Sequence, residues 1–181
     1  MNVFAGPNGS GKSTLISEIN KVLPLGIYIN ADDIESTLKK NNSISFSLYG
    51  IRVSKKLLEQ FYTENKRVIK TRKEEDLWEF LSLEKNVLSI KEGIDISGSY
   101  LAGGIATFIR MQLLNQGRYF SFETVMSRHD KISFLELAKQ NQYFIKLFFI
   151  TTSDPKINIR RNQNRVKFGG QDVPADKVES R

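Results

Sequence analysis

The sequence predicts an α/β fold in which a parallel sheet lies between helices, giving three layers. Short apolar runs typical of buried strands alternate with segments whose apolar residues recur at helical spacing. The predicted strands lie near residues 2–6, 26–30, 118–123 and 143–150. A glycine-rich loop joins the first strand to the first helix, as in α/β proteins that bind a ligand beyond the carboxyl ends of their strands.

That loop reads Gly-Pro-Asn-Gly-Ser-Gly-Lys-Ser over residues 6–13 and matches G-x-x-x-x-G-K-[ST], the phosphate-binding P-loop. Its glycines let backbone N–H groups turn inward toward an anion, and the helix that follows adds its unpaired amides and positive dipole end. Lys12 can reach the β- and γ-phosphates of a nucleotide, and the Ser13 hydroxyl can hold Mg²⁺. We therefore predict that nucleotide phosphates bind along Gly6, Pro7, Asn8, Gly9, Ser10, Gly11, Lys12, Ser13 and Thr14.

Length and composition are those of one globular domain over residues 1–181, with 40% hydrophobic and 26% charged residues. The sequence contains no cysteine, which suits a reducing compartment, and no apolar run reaches membrane-spanning length. Because the chain opens directly on a strand, with no room for a signal peptide, we expect a cytoplasmic protein without a membrane partner.

The net charge of +7 allows attraction to nucleic acid. However, no dense Lys/Arg block interleaved with aromatic residues is present. We therefore expect the excess charge to serve a nucleotide, a charged substrate or solubility, and we do not expect a nucleic-acid partner.

Acidic residues follow two of the predicted strands. Asp32 comes directly after the second strand, where an acceptor hydroxyl would meet a γ-phosphate, and it is a candidate general base. Alternatively, Asp32 or Asp33 caps the next helix; both roles can hold together, with Asp32 for chemistry and Asp33 as the cap. The third strand ends at Glu123 and Thr124, which can hold the water shell of Mg²⁺ or a substrate hydroxyl, or can cap the following helix.

A basic helix is predicted near the end of the chain and carries Arg160, Arg161 and Arg165. Arg161 and Arg165 are four residues apart and share a face, so they could neutralise a phosphoryl group during its transfer. The glycine pair at 169–170 could serve as the hinge of a lid formed by residues 155–181. The alternative is a solvated basic face.

Residues 36–100 form a segment that is long for a connection between neighbouring strands. Apolar residues at helical spacing within it favour a helical insertion. We predict that this insertion is a substrate lobe or lid rather than a separate domain.

Six short stretches resemble the zeta toxin family of P-loop kinases. In order, they are the loop run of residues 6–14, Asn30-Ala31-Asp32-Asp33-Ile34, Phe122-Glu123-Thr124, Asp154-Pro155, Arg161-x-x-x-Arg165-Val166, and Gly169-Gly170-Gln171-Asp172-Val173-Pro174. Their order and rough spacing cover most of the chain outside residues 36–100. The combination is far more specific than the P-loop alone, which many families share.

The resemblance implies an ATP- and Mg²⁺-dependent kinase whose acceptor is the 3′-hydroxyl of the amino sugar in UDP-N-acetylglucosamine. It also implies that the protein is the toxin of a toxin–antitoxin pair, with an antitoxin protein as a further partner. Lys12 would bind the ATP phosphates, Asp32 would take the acceptor proton, and Arg161 and Arg165 would clamp the transferring phosphate.

The same resemblance places substrate and metal contacts after the third predicted strand. Glu123 and Thr124 would hold the sugar together with Asp32, and Glu123 would share the metal with Ser13. Two alternatives stay open: a kinase of another small hydroxyl acceptor or of a polynucleotide end, and a nucleotide-binding module without catalysis.

Overall fold

The computed structural model describes residues 1–65, 80–91, 98–126 and 129–167. The chain divides into two compact units: a first unit made of Met1–Gly26 and Phe120–Arg181, and a second unit made of Ile27–Tyr119. The elements in chain order are β1 (Asn2–Ala5), α1 (Lys12–Ile19), β2 (Ile27–Ile29), α2 (Ala31–Asn41), β3 (Ser43–Ser45), a 3₁₀ turn (Phe46–Tyr49), α3 (Lys55–Glu64), β4 (Leu81–Glu84), β5 (Val87–Ile90), α4 (Gly98–Asn115), β6 (Phe120–Thr124), α5 (His129–Gln140), β7 (Lys146–Phe149) and α6 (Pro155–Lys167).

The parallel sheet has four strands in the order β2-β6-β1-β7, and helices flank it. Strand β1 lies between β6 and β7 and runs parallel to both, with Val3 in register with Phe122 and Leu147. Every residue of β1 is buried, which explains the apolar run Val3-Phe4-Ala5. The predicted α/β class and the four predicted strands are confirmed.

Aromatic packing holds the first unit together. Phe4 of β1 stacks on Phe148 with ring centroids 5.0 Å apart, and Phe122 of β6 meets Phe134 of α5 edge-to-face at 5.7 Å. Burying one such side chain stabilises a fold by about 1.5–3 kcal/mol. These contacts pack β1 against β7 and β6 against α5. They therefore help to position the loop that follows β1.

Local hydrogen bonds set the end of helix α1 and the start of strand β7, which is shorter than the strand predicted near residues 143–150. Helix α1 ends at Ile19, where the amides of Val22 and Leu23 both bond to the Ile19 carbonyl and close a turn ahead of Pro24. Strand β7 begins only at Lys146, since the Tyr143 amide still bonds to the Ala138 carbonyl of α5.

In the second unit, helix α4 buries one apolar stripe, in which Ile105, Phe108, Ile109 and Leu113 have no exposed surface. The chain turns out of this helix at Gly117, whose φ of +63° is left-handed. The amides of Gly117 and Arg118 then bond to the carbonyls of Leu114 and Leu113 at 3.0 Å.

The segment predicted as a helical insertion contains helix α3, but it also contains a three-stranded antiparallel sheet in the order β3-β5-β4. Strands β4 and β5 form a hairpin whose turn residues, Lys85 and Asn86, both have positive φ. The Asn86 side chain accepts a bond from the Val53 amide and donates to the Ile51 carbonyl. Asn86 therefore links the hairpin turn to the segment before α3. Apolar spacing in the sequence does not reveal this role of a turn asparagine.

Candidate functional site

The loop of residues 6–13 joins β1 to α1 in the first unit, and its backbone bends at three glycines. The φ angles of Gly6, Gly9 and Gly11 are +146°, +81° and +95°, all in the range that L side chains rarely adopt. Gly11 is also the N-cap of α1. The loop therefore leads directly into the amino end of a helix, where unpaired N–H groups and the helix dipole attract anions.

Neighbouring backbone leaves no room for side chains at two of these glycines. A Cβ atom at Gly6 would overlap the carbonyl oxygen of Ile150, and one at Gly9 would lie 2.5 Å from the carbonyl oxygen of Asn158. Glycine is needed at both positions for space as well as for conformation.

The carboxyl ends of three strands meet at the start of this loop. The Gly6 amide donates to the Thr124 carbonyl at 3.2 Å, and the Ile150 amide donates to the Ala5 carbonyl at 2.8 Å. Thr124 is therefore next to the loop; it is buried, and its hydroxyl accepts the Met126 amide at 3.2 Å. Glu123 precedes it in β6, in register with Phe4, and is partly buried.

Lys12 folds back over the loop that precedes it. Its Nζ donates to the carbonyl oxygens of Gly6 at 2.8 Å and Pro7 at 2.9 Å, and the residue is only 8% exposed. A desolvated ammonium held by neutral carbonyls is positioned to bind an anion placed against the same backbone.

Ser10 supplies the least expected feature of the loop. Its hydroxyl is buried, the residue is 5% exposed, and the oxygen has no hydrogen-bond partner among the residues that the structure describes. A buried hydroxyl without a partner costs about 1–3 kcal/mol, so native proteins rarely keep one without a reason. Phosphate oxygens lying against the loop would supply an acceptor that the described residues do not, which fits a phosphorylated ligand.

The predicted metal ligands, Ser13 and Glu123, both belong to the first unit. Ser13 is exposed in the first turn of α1, as is Thr14. Within the described ranges, no three His, Asp or Glu side chains cluster as a dedicated metal site. Mg²⁺ in nucleotide sites takes most of its ligands from phosphate and water, so one hydroxyl and one carboxylate fit that chemistry.

Helix α6 places one predicted arginine beside the loop. The helix begins at Pro155, with the Asp154 carboxylate accepting the Lys156 amide at 2.9 Å. The Nη1 atom of Arg161 donates to the Gly9 carbonyl at 3.5 Å, and the side chain is exposed. Arg165 lies on the same helix, but its side chain and the whole of residues 168–181, including the predicted glycine hinge, lie outside the described part.

Asn158 is a residue of this site that the sequence pattern does not identify. It is 3% exposed, although it lies on a helix whose other described side chains are exposed or partly exposed. The Thr152 hydroxyl donates to its Oδ1 at 2.9 Å. The only sequence signal is its position three residues before Arg161, which places both side chains on one face of the helix.

The second unit carries Asp32 in the first turn of α2, where it is exposed. The prediction that Asp33 caps this helix is wrong: the cap is Asn30, whose side-chain oxygen accepts the Asp32 amide at 2.9 Å. The reason is that the helix begins at Ala31, so both aspartates lie inside its first turn. The role of Asp32 as general base stays a prediction.

Two pKa values are raised in this part of the second unit, those of Asp33 and Tyr49. Partial burial, together with the negative charge of Asp32, raises the pKa of Asp33 above its ordinary 3.8. Burial, with a further contribution from the charge of Asp33, raises the pKa of Tyr49 to about 12. Tyr49 and the two aspartates therefore interact electrostatically, a grouping that the sequence alone does not indicate.

The described residues define an α/β protein in which a glycine-rich loop lies at the carboxyl ends of parallel strands. Compared with models of protein families and with curated proteins, the chain matches none of them. In the described ranges no helix is long and apolar enough to cross a membrane. The resemblance to the zeta toxin family stays a prediction based on the short stretches of sequence.

Proposed function

We propose that this protein is a P-loop kinase of the zeta toxin type. It would use ATP and Mg²⁺ to phosphorylate a hydroxyl of a nucleotide sugar such as UDP-N-acetylglucosamine. The observation that carries the proposal is the loop of residues 6–13, which combines the G-x-x-x-x-G-K-[ST] sequence with a buried hydroxyl that lacks a partner among the described residues. The acceptor rests on the family resemblance.

The charges around the loop support a polyphosphate ligand. Lys12 and Arg161 bring two positive side chains to the backbone of one short loop, and the amino end of α1 adds its dipole. Both side chains bond to loop carbonyls, which are weaker acceptors than phosphate oxygens. A nucleotide tail would therefore draw both cations onto itself.

In the proposed reaction, the sugar hydroxyl oxygen attacks the γ-phosphorus of ATP as the bond to the β–γ bridging oxygen breaks and ADP leaves. Asp32 takes the proton of the attacking hydroxyl. Lys12, Arg161 and Arg165 neutralise charge that spreads over the phosphoryl oxygens, and Glu123 and Thr124 orient the sugar. Ser13 and Glu123 would hold Mg²⁺, whose positive charge would offset that of the phosphates. Because such transition states are loose, catalysis is mainly positioning and electrostatic stabilisation.

The proposal extends to the setting of the protein. An antitoxin protein is the partner that the resemblance implies, and a cysteine-free chain that uses ATP and a nucleotide sugar suits the cytoplasm.

The test is phosphoryl transfer from γ-labelled ATP with Mg²⁺ to a panel of acceptors that includes UDP-N-acetylglucosamine, nucleosides, and RNA and DNA ends. We expect label on the nucleotide sugar. Asp32→Asn should lower turnover by about a hundredfold or more while leaving ATP affinity nearly unchanged. The adjacent Asp33→Asn variant is the matched control and should keep turnover.

Three results would contradict the proposal in different ways. Label on polynucleotide ends alone would make the protein a polynucleotide kinase. ATP binding without transfer to any acceptor would favour the non-catalytic module. Equal losses in Asp32→Asn and Asp33→Asn would remove the specific role of Asp32.

A further inference from the structure

From the contacts of α6, we propose that Asn158 is a positioning residue: it seats α6 on the glycine loop and so holds Arg161 where the phosphates of a bound nucleotide would lie. The seating of the helix follows from contacts within the protein. The consequence for phosphate binding rests on the proposed function.

The first argument is the burial of an amide on a polar helix. Among the described side chains of α6, Asn158 is the most buried at 3% exposed, whereas its apolar neighbour Ile157 is 37% exposed. Burying a primary amide is unfavourable unless it forms hydrogen bonds, so the position gains from a specific bond rather than from apolar packing.

The bond that Asn158 forms ties α6 to the segment after β7. The Thr152 hydroxyl lies 2.9 Å from Asn158 Oδ1 and 3.0 Å from the Asp154 carbonyl oxygen. Thr152 is two residues beyond Ile150, whose amide bonds to β1. The first turn of α6 is therefore anchored, through Thr152, to the end of the central sheet.

The backbone of the same residue lies close to the loop. The space that a Cβ at Gly9 would occupy is 2.5 Å from the Asn158 carbonyl oxygen and 3.2 Å from its Cα. The carbonyl oxygen of Gly9 accepts the Arg161 guanidinium at 3.5 Å. Asn158 and Arg161 thus contact the same loop residue from adjacent turns of one helix face.

The position of Arg161 depends on where α6 lies, because the arginine's own contact with the loop is weak. A donor–acceptor distance of 3.5 Å is at the long end for a hydrogen bond, and the side chain is exposed. Among the described residues, the bond to Gly9 is the contact that holds the guanidinium, so its position depends mainly on the helix. If the Thr152–Asn158 bond is broken, the first turn of α6 should move away from Gly9 and carry Arg161 with it.

Hydrogen exchange of the full chain without nucleotide tests the seating. Asn158→Ala and Thr152→Val each remove one side of the bond and should make the α6 amides exchange about tenfold faster. Thr152→Ser keeps the hydroxyl, and in this variant the α6 amides should exchange as slowly as in the unmutated protein. Asn164→Ala changes an exposed asparagine of the same helix and should have no effect. Unchanged exchange in both Asn158→Ala and Thr152→Val would overturn the proposal.

Nucleotide affinity tests the consequence for Arg161, with the dissociation constants of ATP and ADP measured by calorimetry. Asn158→Ala and Arg161→Ala should each reduce the preference for ATP over ADP by a similar factor. The double variant should lose no more than Arg161→Ala alone, because both changes remove one contact. Additive losses would show that Asn158 does not act through Arg161.

The two measurements separate the failure of this inference from the failure of the proposed function. If the unmutated protein binds no nucleotide, the kinase proposal falls, while the exchange experiment still decides whether Asn158 seats the helix. If nucleotide binds and the exchange rates do not respond, the kinase proposal stands and the role of Asn158 is refuted.

Discussion

Gly9 and Asn158 are in direct backbone contact although 149 positions separate them in the sequence, so that a Cβ at Gly9 would lie 2.5 Å from the Asn158 carbonyl oxygen. The contact joins the glycine-rich loop after β1 to the helix after β7 within one unit. Its consequence is that the shape of the loop and the placement of the basic helix cannot vary independently.

Gly9→Ala should therefore damage both the loop and the helix. The substitution forces an L side chain into a φ of +81° and against backbone atoms, and we expect a loss of about 2 kcal/mol in the free energy of unfolding. Nucleotide affinity should fall as well, since α6 is displaced. Denaturant unfolding and calorimetry measure the two effects.

Gly103→Ala is the control for this change. Gly103 lies within α4, and in the described part of the chain an added Cβ would meet no atom within 4 Å apart from the helix's own backbone and the adjacent residues. Replacing a helical glycine by alanine should raise stability by about 0.5–1 kcal/mol. If Gly9→Ala were as well tolerated as Gly103→Ala, the contact with Asn158 would not constrain the loop.

Ser10→Ala should separate stability from binding. Removing a buried hydroxyl that lacks a partner among the described residues should raise the free energy of unfolding of the nucleotide-free protein by about 1 kcal/mol. The same substitution should weaken ATP binding about tenfold, because a hydrogen bond to a charged oxygen is lost. Ser13→Ala, at an exposed position, should leave stability unchanged and weaken the response to Mg²⁺. A loss of stability in Ser10→Ala would mean that the hydroxyl is already satisfied without a ligand.

The electrostatic coupling beside Asp32 gives a prediction about pH. Burial first, and the charge of Asp32 second, raise the pKa of Asp33 above 3.8, so the folded state holds this proton more tightly than the unfolded state does. The contribution of Asp33 to stability is therefore greatest at low pH and falls as the pH rises from 3.8 through the folded pKa. Asp33→Asn should remove this loss. The free energy of unfolding of the variant should therefore rise relative to that of the unmutated protein as the pH rises through that window.

Side-chain NMR titration checks the assignment directly. Asp32→Asn should lower the pKa of Asp33, since it removes the neighbouring negative charge. Asp33→Asn should lower the pKa of Tyr49 from about 12, because the charge of Asp33 contributes to that shift. If neither substitution moves its neighbour's pKa, the three side chains are not electrostatically coupled.

How much the sequence predicts depends on the range of the interactions concerned. The β1–loop–α1 arrangement, the strand that ends at Thr124 and the cap at Asp154 follow from local patterns, because apolar runs, glycines and Asp-Pro act over a few residues. The contact between Gly9 and Asn158 could not be predicted, because it depends on where the sheet places two distant segments.

The same reasoning explains why two features in the middle of the chain were not predicted. The β4–β5 hairpin depends on a Lys-Asn turn with both residues at positive φ, and lysine carries little signal for that conformation. The mistaken cap at Asp33 came from placing the helix start three residues too late, although Asn30 has an equally good capping side chain. Boundaries of one or two residues are set by competition between similar local bonds.

Substituting two neighbouring arginines of α6 in turn tests whether the helix carries a functional residue or only a solvated basic face. Arg160 and Arg161 are both exposed, but they point about 100° apart around the helix, and Arg161 is the one that contacts Gly9. If Arg161 neutralises the transferring phosphoryl group, Arg161→Ala should lower turnover by about a thousandfold. Arg160→Ala should leave turnover within about twofold, as expected for an exposed charge away from the site. Similar small losses in both variants would indicate that α6 is a solvated basic face. A large loss in Arg160→Ala alone would show that the catalytic charge lies on the face that carries Arg160.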